Sequence, residues 1–140
     1  MIPVRRTGDS VQVCVIRRRD SRAWSIPKGF IDADDTREQA AMNEAHEEAG
    51  LIGHLLGECI GTYDYRKWDA HLTVAVYVME VLTEESTWPE MRFRERRWCS
   101  LDEAVSLLMD HPVRPLLDHV NAHLATAAAL HRPNGPIGTS

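Results

Sequence analysis

Apolar positions along this chain come in short runs, and their periodicity switches between that of strands and that of helices. "VQVCVI", Val11 to Ile16, is apolar except at Gln12 and rich in β-branched residues, which predicts a buried strand. "AWSIP", residues 23–27, reads as a second, short one. Further strands are expected around 55–65 and over "HLTVAVYVMEVL", residues 71–82, which alternates and then turns solidly apolar, as a central strand does. "RFRERRWCS", residues 92–100, alternates charge with Phe93 and Trp98 and predicts a half-exposed strand.

Helices interrupt these strands. Thr36 with Gln39 three residues on is a capping-box pattern, and Gly50 supplies a stop. A second helix opens at Ser100, with Glu103 three residues on, carries Leu101, Ala104, Val105 and Leu108 at helical spacing, and is broken by Pro112 and Pro115. A third, from about Pro115, is expected to bury Leu116, Leu117, Val120 and Leu124. The tail "RPNGPIGTS", residues 132–140, is expected to be disordered, leaving one domain over 1–131. No segment repeats. The mixture implies an α/β class, a two- or three-layer sandwich around one sheet.

Composition narrows the class. With 140 residues, 44% hydrophobic and 26% charged, the chain fits one globular domain. It holds no apolar run of membrane-spanning length, and its start lacks a secretory pattern, so a cytoplasmic protein without a membrane partner is expected. Cys14, Cys59 and Cys99 are odd in number and far apart, which suits buried free thiols better than disulfides or a zinc site. The formal charge is -5, yet arginines cluster at Arg5 and Arg6, at Arg17, Arg18, Arg19 and Arg22, and at Arg92, Arg94, Arg96 and Arg97. Arginine suits bidentate contact with phosphate or carboxylate.

The chemistry concentrates in "EAHEEAGL", residues 44–51. At about 100° per residue, Glu44, Glu47 and Glu48 share one narrow stripe of the first helix, beside an alanine stripe of Ala41, Ala45 and Ala49 that can press onto a sheet. Like charges so spaced repel by roughly 0.2 to 0.5 kcal/mol per pair, and the helix C-terminal dipole adds to the cost. Two compensations are open. One is a hard cation, Mg²⁺ or Mn²⁺, which takes oxygen ligands and commonly bridges to substrate phosphates. The other is a solvated acidic face salt-bridged to neighbouring arginines.

From Gly29 to Leu51 the chain resembles the Nudix box: glycine, five residues, an acid, seven residues, then a block ending Glu, small apolar, any residue, Glu-Glu, any residue, Gly, aliphatic. Gly29, Glu44, Ala45, Glu47, Glu48, Gly50 and Leu51 match at the required spacing. Two positions depart: Asp35 stands where the family usually has Glu, and Asn43 replaces the arginine that pairs with that acid, so a shorter Asp-to-Asn hydrogen bond would have to brace the loop. Beyond the box, "IPKG", Lys67, His71, "WPE" at Trp88, "RFRERRW" and the "LDEA" helix resemble the branch acting on diphosphoinositol and dinucleoside polyphosphates, over roughly residues 4 to 120.

The resemblance implies a Nudix-type α/β/α sandwich with a mixed β-sheet, and a pyrophosphohydrolase of phosphorylated small molecules using Mg²⁺ or Mn²⁺. It implies metal binding by Glu44 and Glu48 with a backbone carbonyl near Lys28 or Gly29, and Glu47 as general base, with Glu90 and Glu95 as rivals. It also implies a phosphate clamp of Arg5, Arg6, Arg17, Arg19, Lys67, His71, Arg94 and Arg114. For Arg18, Arg96 and Arg97, solvent or salt-bridge roles are expected, and for Tyr63, Tyr65 and Trp68, packing in core or strand face ahead of the alternative, stacking on a base. Hydrolysis of a smaller nucleoside diphosphate derivative, such as ADP-ribose or a damaged nucleoside triphosphate, is the second enzymatic reading. A phosphate-ligand or RNA-binding module of weak turnover is the non-enzymatic one, although nucleic acid is not the expected partner. The sequence assigns no oligomeric state.

Overall fold

In a computed structural model, residues 1–28 and 36–131 are described, apart from the side chains of Lys67 and residues 126–131. The chain runs β1 (Ile2–Thr7), β2 (Ser10–Arg18), α1 (Arg37–Ala49), β3 (Leu51–Leu55), β4 (Gly61–Lys67), β5 (Ala70–Val76), β6 (Val78–Glu84), β7 (Arg94–Ser100), α2 (Leu101–Leu107), α3 (Arg114–Leu117) and α4 (Val120–His131). Five strands form one sheet in the order β3-β6-β1-β2-β7, while β4 and β5 pair separately. The sheet is mixed, because β1 runs parallel to β6 and antiparallel to β2.

Strand alternation splits the core into two layers. Val13 and Val15 face one side of β2, in a cluster with Ile2, Val4, Val78, Ala104, Leu108, Leu117, Val120 and Leu124, so α2, α3 and α4 cover that face. Cys14 and Ile16 face the other, against Ala45 and Ala49 of α1 with Leu51 and Met79. Helices on both faces make the α/β/α sandwich. The alanine stripe gives α1 its close seat on the sheet, and the acidic stripe beside it is thereby carried to the sheet's margin.

Caps fix the helix ends. Thr36 Oγ1 accepts from the Gln39 amide at 3.1 Å, but the Gln39 side chain donates forward to Asn43 Oδ1 at 3.0 Å rather than back to the cap. Ser100 and Glu103 form the full reciprocal capping box. Gly50 takes the left-handed conformation, φ 67°, that ends α1.

Several expectations need correction. The expected single sheet is two. The 71–82 run is two strands in two sheets, divided at Tyr77, whose carbonyl accepts from Ile2 N at 2.7 Å. The expected 55–65 strand is replaced by β3 before it and β4 overlapping its end, with Gly57 at φ 75° between them. β1 carries only Ile2, Pro3 and Val4 as apolar residues before two arginines, too short a run to signal a strand. "AWSIP" supplies one bridge, Ser25 to Ile16. The third helix is divided into α3 and α4. Among the described residues no helix is long and apolar enough to cross a membrane.

Candidate active site

The acidic stripe of α1 is graded in exposure. Glu48 is 5% exposed, Glu44 is half-buried and Glu47 is exposed. Burial is the largest cause raising the Glu48 carboxyl to about 8, reinforced by Glu44 and Glu90 and opposed by Arg94. Glu44 is also raised, first by burial, with Glu47 and Glu90 adding repulsion and a hydrogen bond to Glu48 opposing. Two carboxyls one helical turn apart therefore sit in a place where neither ionises easily.

The β6–β7 connection and β7 itself close over the end of this helix and satisfy its last carbonyls in turn. The Glu90 amide donates to Glu47 O at 3.0 Å, Trp88 Nε1 to Glu48 O at 3.1 Å, and Arg96 Nη1 to Ala49 O at 2.6 Å. The Glu85 amide donates to Gly50 O at 2.9 Å. The Arg96 guanidinium also lies 4.0 Å over the Trp88 ring and pairs with Glu84 at 3.2 Å. Arg96 does carry the expected salt bridge, but its larger role is to answer the helix dipole that the glutamates worsen. Sequence reasoning had no signal for this, because the two segments lie more than forty positions apart.

Arg94 stands between two acids. Its Nη2 is 3.7 Å from Glu48 Oε1 and its Nε donates to Glu90 Oε1 at 2.5 Å. Arg19 donates to the Met91 carbonyl at 3.1 and 3.2 Å, and Arg17 is hydrogen-bonded to Glu95, with its guanidinium 4.5 Å over Trp24. Lys28 Nζ lies 4.3 Å over the Tyr65 ring.

Not all of the expected clamp gathers here. Arg94 pairs with Arg18 in the β2–β7 register, whereas Arg5 pairs with Gln12, six positions along β2; at about 3.3 Å per residue, that is about 20 Å. Arg5 is held by Gln12 at 2.8 Å and Glu84 at 3.5 Å, and Arg6 lies 4.0 Å from Glu80. His71 pairs with Asp64 at 3.4 Å on the β4–β5 hairpin, and Arg114 is exposed at the start of α3. The Lys67 side chain, Gly29 and Asp35 lie outside the described residues, and so does the expected Asp35 to Asn43 bond.

Near Lys28, half-buried His111 and Ser25 stand beside the buried Tyr63. His111 Nδ1 accepts from the Val113 amide at 3.0 Å, leaving the hydrogen on Nε2, 3.4 Å from Ser25 Oγ. Burial, then Lys28, lowers His111 to about 4. Tyr63 is buried, as expected, with its ring edge-on to His111 at 5.3 Å, and burial pushes its hydroxyl pKa up. Tyr65 is half-buried. Trp68 contradicts the packing expectation: it is 83% exposed.

Among the described residues no three His, Cys, Asp or Glu side chains stand clustered for a metal. The donor set nonetheless fits a hard cation in its chemistry. Two crowded carboxylates, both with raised pKa values, are what a divalent ion would relieve, and all the candidate donors are oxygens.

The NUDIX domain profile matches residues 1–120, and the chain belongs to that family. It is similar to Nudix hydrolase 4 of Arabidopsis thaliana, 32% identical over 77% of this chain and 53% of that one. It is also similar to the mitochondrial Nudix hydrolase 16 of the same plant, 33% identical over 71% and 59%. A putative mutator protein, MutT4, of Mycobacterium tuberculosis is 34% identical over 66% of this chain and 39% of its own. The chain thus spans about half the length of the curated relatives it matches. Among solved structures, a C. elegans Ap4A hydrolase binary complex superposes with a TM-score of 0.75 at 21% identity, over 89% of this chain and 94% of that one. At that identity the match establishes the fold.

Proposed function

We propose that this chain is a Mg²⁺- or Mn²⁺-dependent pyrophosphohydrolase that splits a phosphoanhydride bond in a dinucleoside or diphosphoinositol polyphosphate. The observation that carries the reading is the buried Glu48 and half-buried Glu44, one helical turn apart on the family's motif helix, both with raised carboxyl pKa values and with Arg94 3.7 Å from Glu48. A helix gains nothing in stability from two such acids, so their place needs a ligand. The Ap4A hydrolase fold match and the arginines near the site favour a highly charged substrate.

Glu44 and Glu48, with a backbone carbonyl near Lys28, would hold the ion. Bound there, it would neutralise phosphate charge and polarise the anhydride. The chain's own groups do the rest. Arg94, beside Glu48 on the α1 face of the sheet, would bind the phosphate oxygens and orient the bond together with Lys28 and Arg19, whereas Arg17 pairs with Glu95 on the opposite face. Glu47 is exposed and one helical turn from Glu44, placed to accept a proton from water. Its rivals Glu90 and Glu95 are each bound by an arginine, and a proton transfer there would first have to loosen an ion pair.

A panel of diadenosine polyphosphates, diphosphoinositol polyphosphates, ADP-ribose and nucleoside triphosphates, assayed with Mg²⁺ and with Mn²⁺ and with products identified, tests this. Turnover of one of the first two classes, abolished by EDTA, is expected. No turnover of any, or preference for ADP-ribose or a triphosphate, contradicts the substrate assignment.

A further inference from the structure

Arg17, Arg18 and Arg19 follow one another where β2 ends, and the strand sends them different ways. Arg17 shares the face of Val13 and Val15, where Glu95 and the Trp24 ring hold its guanidinium. Arg19 lies past the strand's end, with its guanidinium on the Met91 carbonyl. Arg18 shares the parity of Cys14 and Ile16 and so stands on the α1 face. Its partner across the β2–β7 pairing is Arg94, the residue 3.7 Å from Glu48.

Like charges directly opposite one another destabilise a sheet, and here the register brings them close. The Arg19 amide donates to the Phe93 carbonyl at 2.9 Å, so Arg18 and Arg94 fall at a non-hydrogen-bonded position, where facing side chains approach most nearly. Arg94 is answered by Glu90 and Glu48. Arg18 has only Asp20, at 3.2 Å, in a pair whose side chains are 55% and 73% exposed, and so exposed a pair gains little. That bond uses Nε alone, while the Arg18 guanidinium lies 5.9 Å over the Phe93 ring. Both Nη groups, the prongs of the fork that grips a phosphate, are without a partner among the described residues.

We propose that Arg18 is a phosphate-binding residue, and that it and Arg94 hold the same phosphate group of the substrate. This rests on the hydrolase reading above and deepens it, giving Arg18 the place that the resemblance gives to Arg17. An anion between the two guanidinia removes the repulsion that this position of the sheet otherwise carries. Arg18 supplies the donors that Arg94, engaged with two acids, lacks.

Calorimetric binding of imidodiphosphate, a pyrophosphate mimic with a P–N–P bridge, in the presence of Mg²⁺ tests this without turnover. Arg18→Ala weakens binding about tenfold, and Arg18→Lys, which keeps the charge but loses the fork, about threefold. Arg17→Ala and Asp20→Asn stay within about twofold of wild type, since neither residue meets the phosphate. Arg18→Ala keeps or raises the melting temperature, because one of two facing charges is gone. The proposal is overturned if wild type does not bind imidodiphosphate, if Arg18→Ala binds it as wild type does, or if Arg17→Ala weakens binding as much as Arg18→Ala. A loss in Arg18→Ala that comes with a lower melting temperature and is repeated by Asp20→Asn is structural, and overturns it as well. Failure of the hydrolase reading appears separately, as an inactive substrate panel beside an intact Arg18 effect on binding.

Discussion

Arg96 donates to the Ala49 carbonyl at 2.6 Å and so closes the last turn of the most acidic helix in the chain. One side chain, 13% exposed, thereby joins β7, Trp88 and the end of α1. Arg96→Ala should cost about 2 to 4 kcal/mol, since it removes several charge-assisted hydrogen bonds and leaves helix-end carbonyls buried. Chemical denaturation measures this. A loss below about 0.5 kcal/mol would show that the helix end does not depend on the contact.

Gly50 lies beneath the same contact. A Cβ there would come within 2.8 Å of Arg96 Nη1 and 2.9 Å of Trp88 Cβ, at a φ of 67°. Gly50→Ala is therefore expected to destabilise by about 1 to 3 kcal/mol, from strain and displacement of the cap together. Thermal unfolding checks it, and an unchanged melting temperature would contradict it.

The raised carboxyl of Glu48 makes metal-free stability depend on pH. The folded pKa, about 8, lies above the ordinary glutamate value of 4.5, so the folded state holds a proton that the unfolded state has lost between these values. The associated stability is full below about pH 4.5 and is lost as pH rises to 8. Each pKa unit is worth about 1.4 kcal/mol, so the loss is on the order of 3 kcal/mol after discounting for the coupling with Glu44. Glu48→Gln should flatten this slope. An identical slope in the variant would reject burial of this acid as its source.

His111 pulls the other way. Its folded pKa, about 4, lies below the ordinary histidine value of 6.5, so between them the unfolded state binds a proton that the folded state refuses. Stability falls as pH drops from 6.5 to 4, by about 1 to 3 kcal/mol. His111→Asn, which can still accept from the Val113 amide, should remove this acid sensitivity. A denaturation series from pH 4 to 7 that matched wild type would contradict the assignment.

Glu47→Gln should reduce turnover by roughly 10² to 10⁴-fold while leaving ion uptake in place, as loss of a general base does. Single-turnover assays at saturating Mg²⁺ measure it. Normal rates would pass the role to Glu90 or Glu95.

The chemistry was more legible in the sequence than the architecture around it. Glu44, Glu47 and Glu48 are close in sequence, so helical periodicity alone puts them on one stripe. The caps at Thr36, Ser100 and Gly50 are local and were readable for the same reason. Contacts that close the site are not local: Arg94 meets Glu48 and Arg96 meets Ala49 only after β7 has paired with β2, and no spacing rule encodes that register. The break at Tyr77 was hidden because an apolar run reads alike whether one sheet buries it or two. Trp68 was misjudged because an aromatic in an alternating segment usually packs, whereas here a two-residue turn lifts it from the strand.

The central claim is that Glu44 and Glu48 of α1 take up a divalent ion. Titration of Mn²⁺ by calorimetry into wild-type protein and into the Glu44→Gln, Glu48→Gln double variant tests it most directly. Saturable uptake by the wild type, displaced by Mg²⁺ and absent in the double variant, is the predicted result. No uptake by the wild type, or equal uptake by both, would contradict the account.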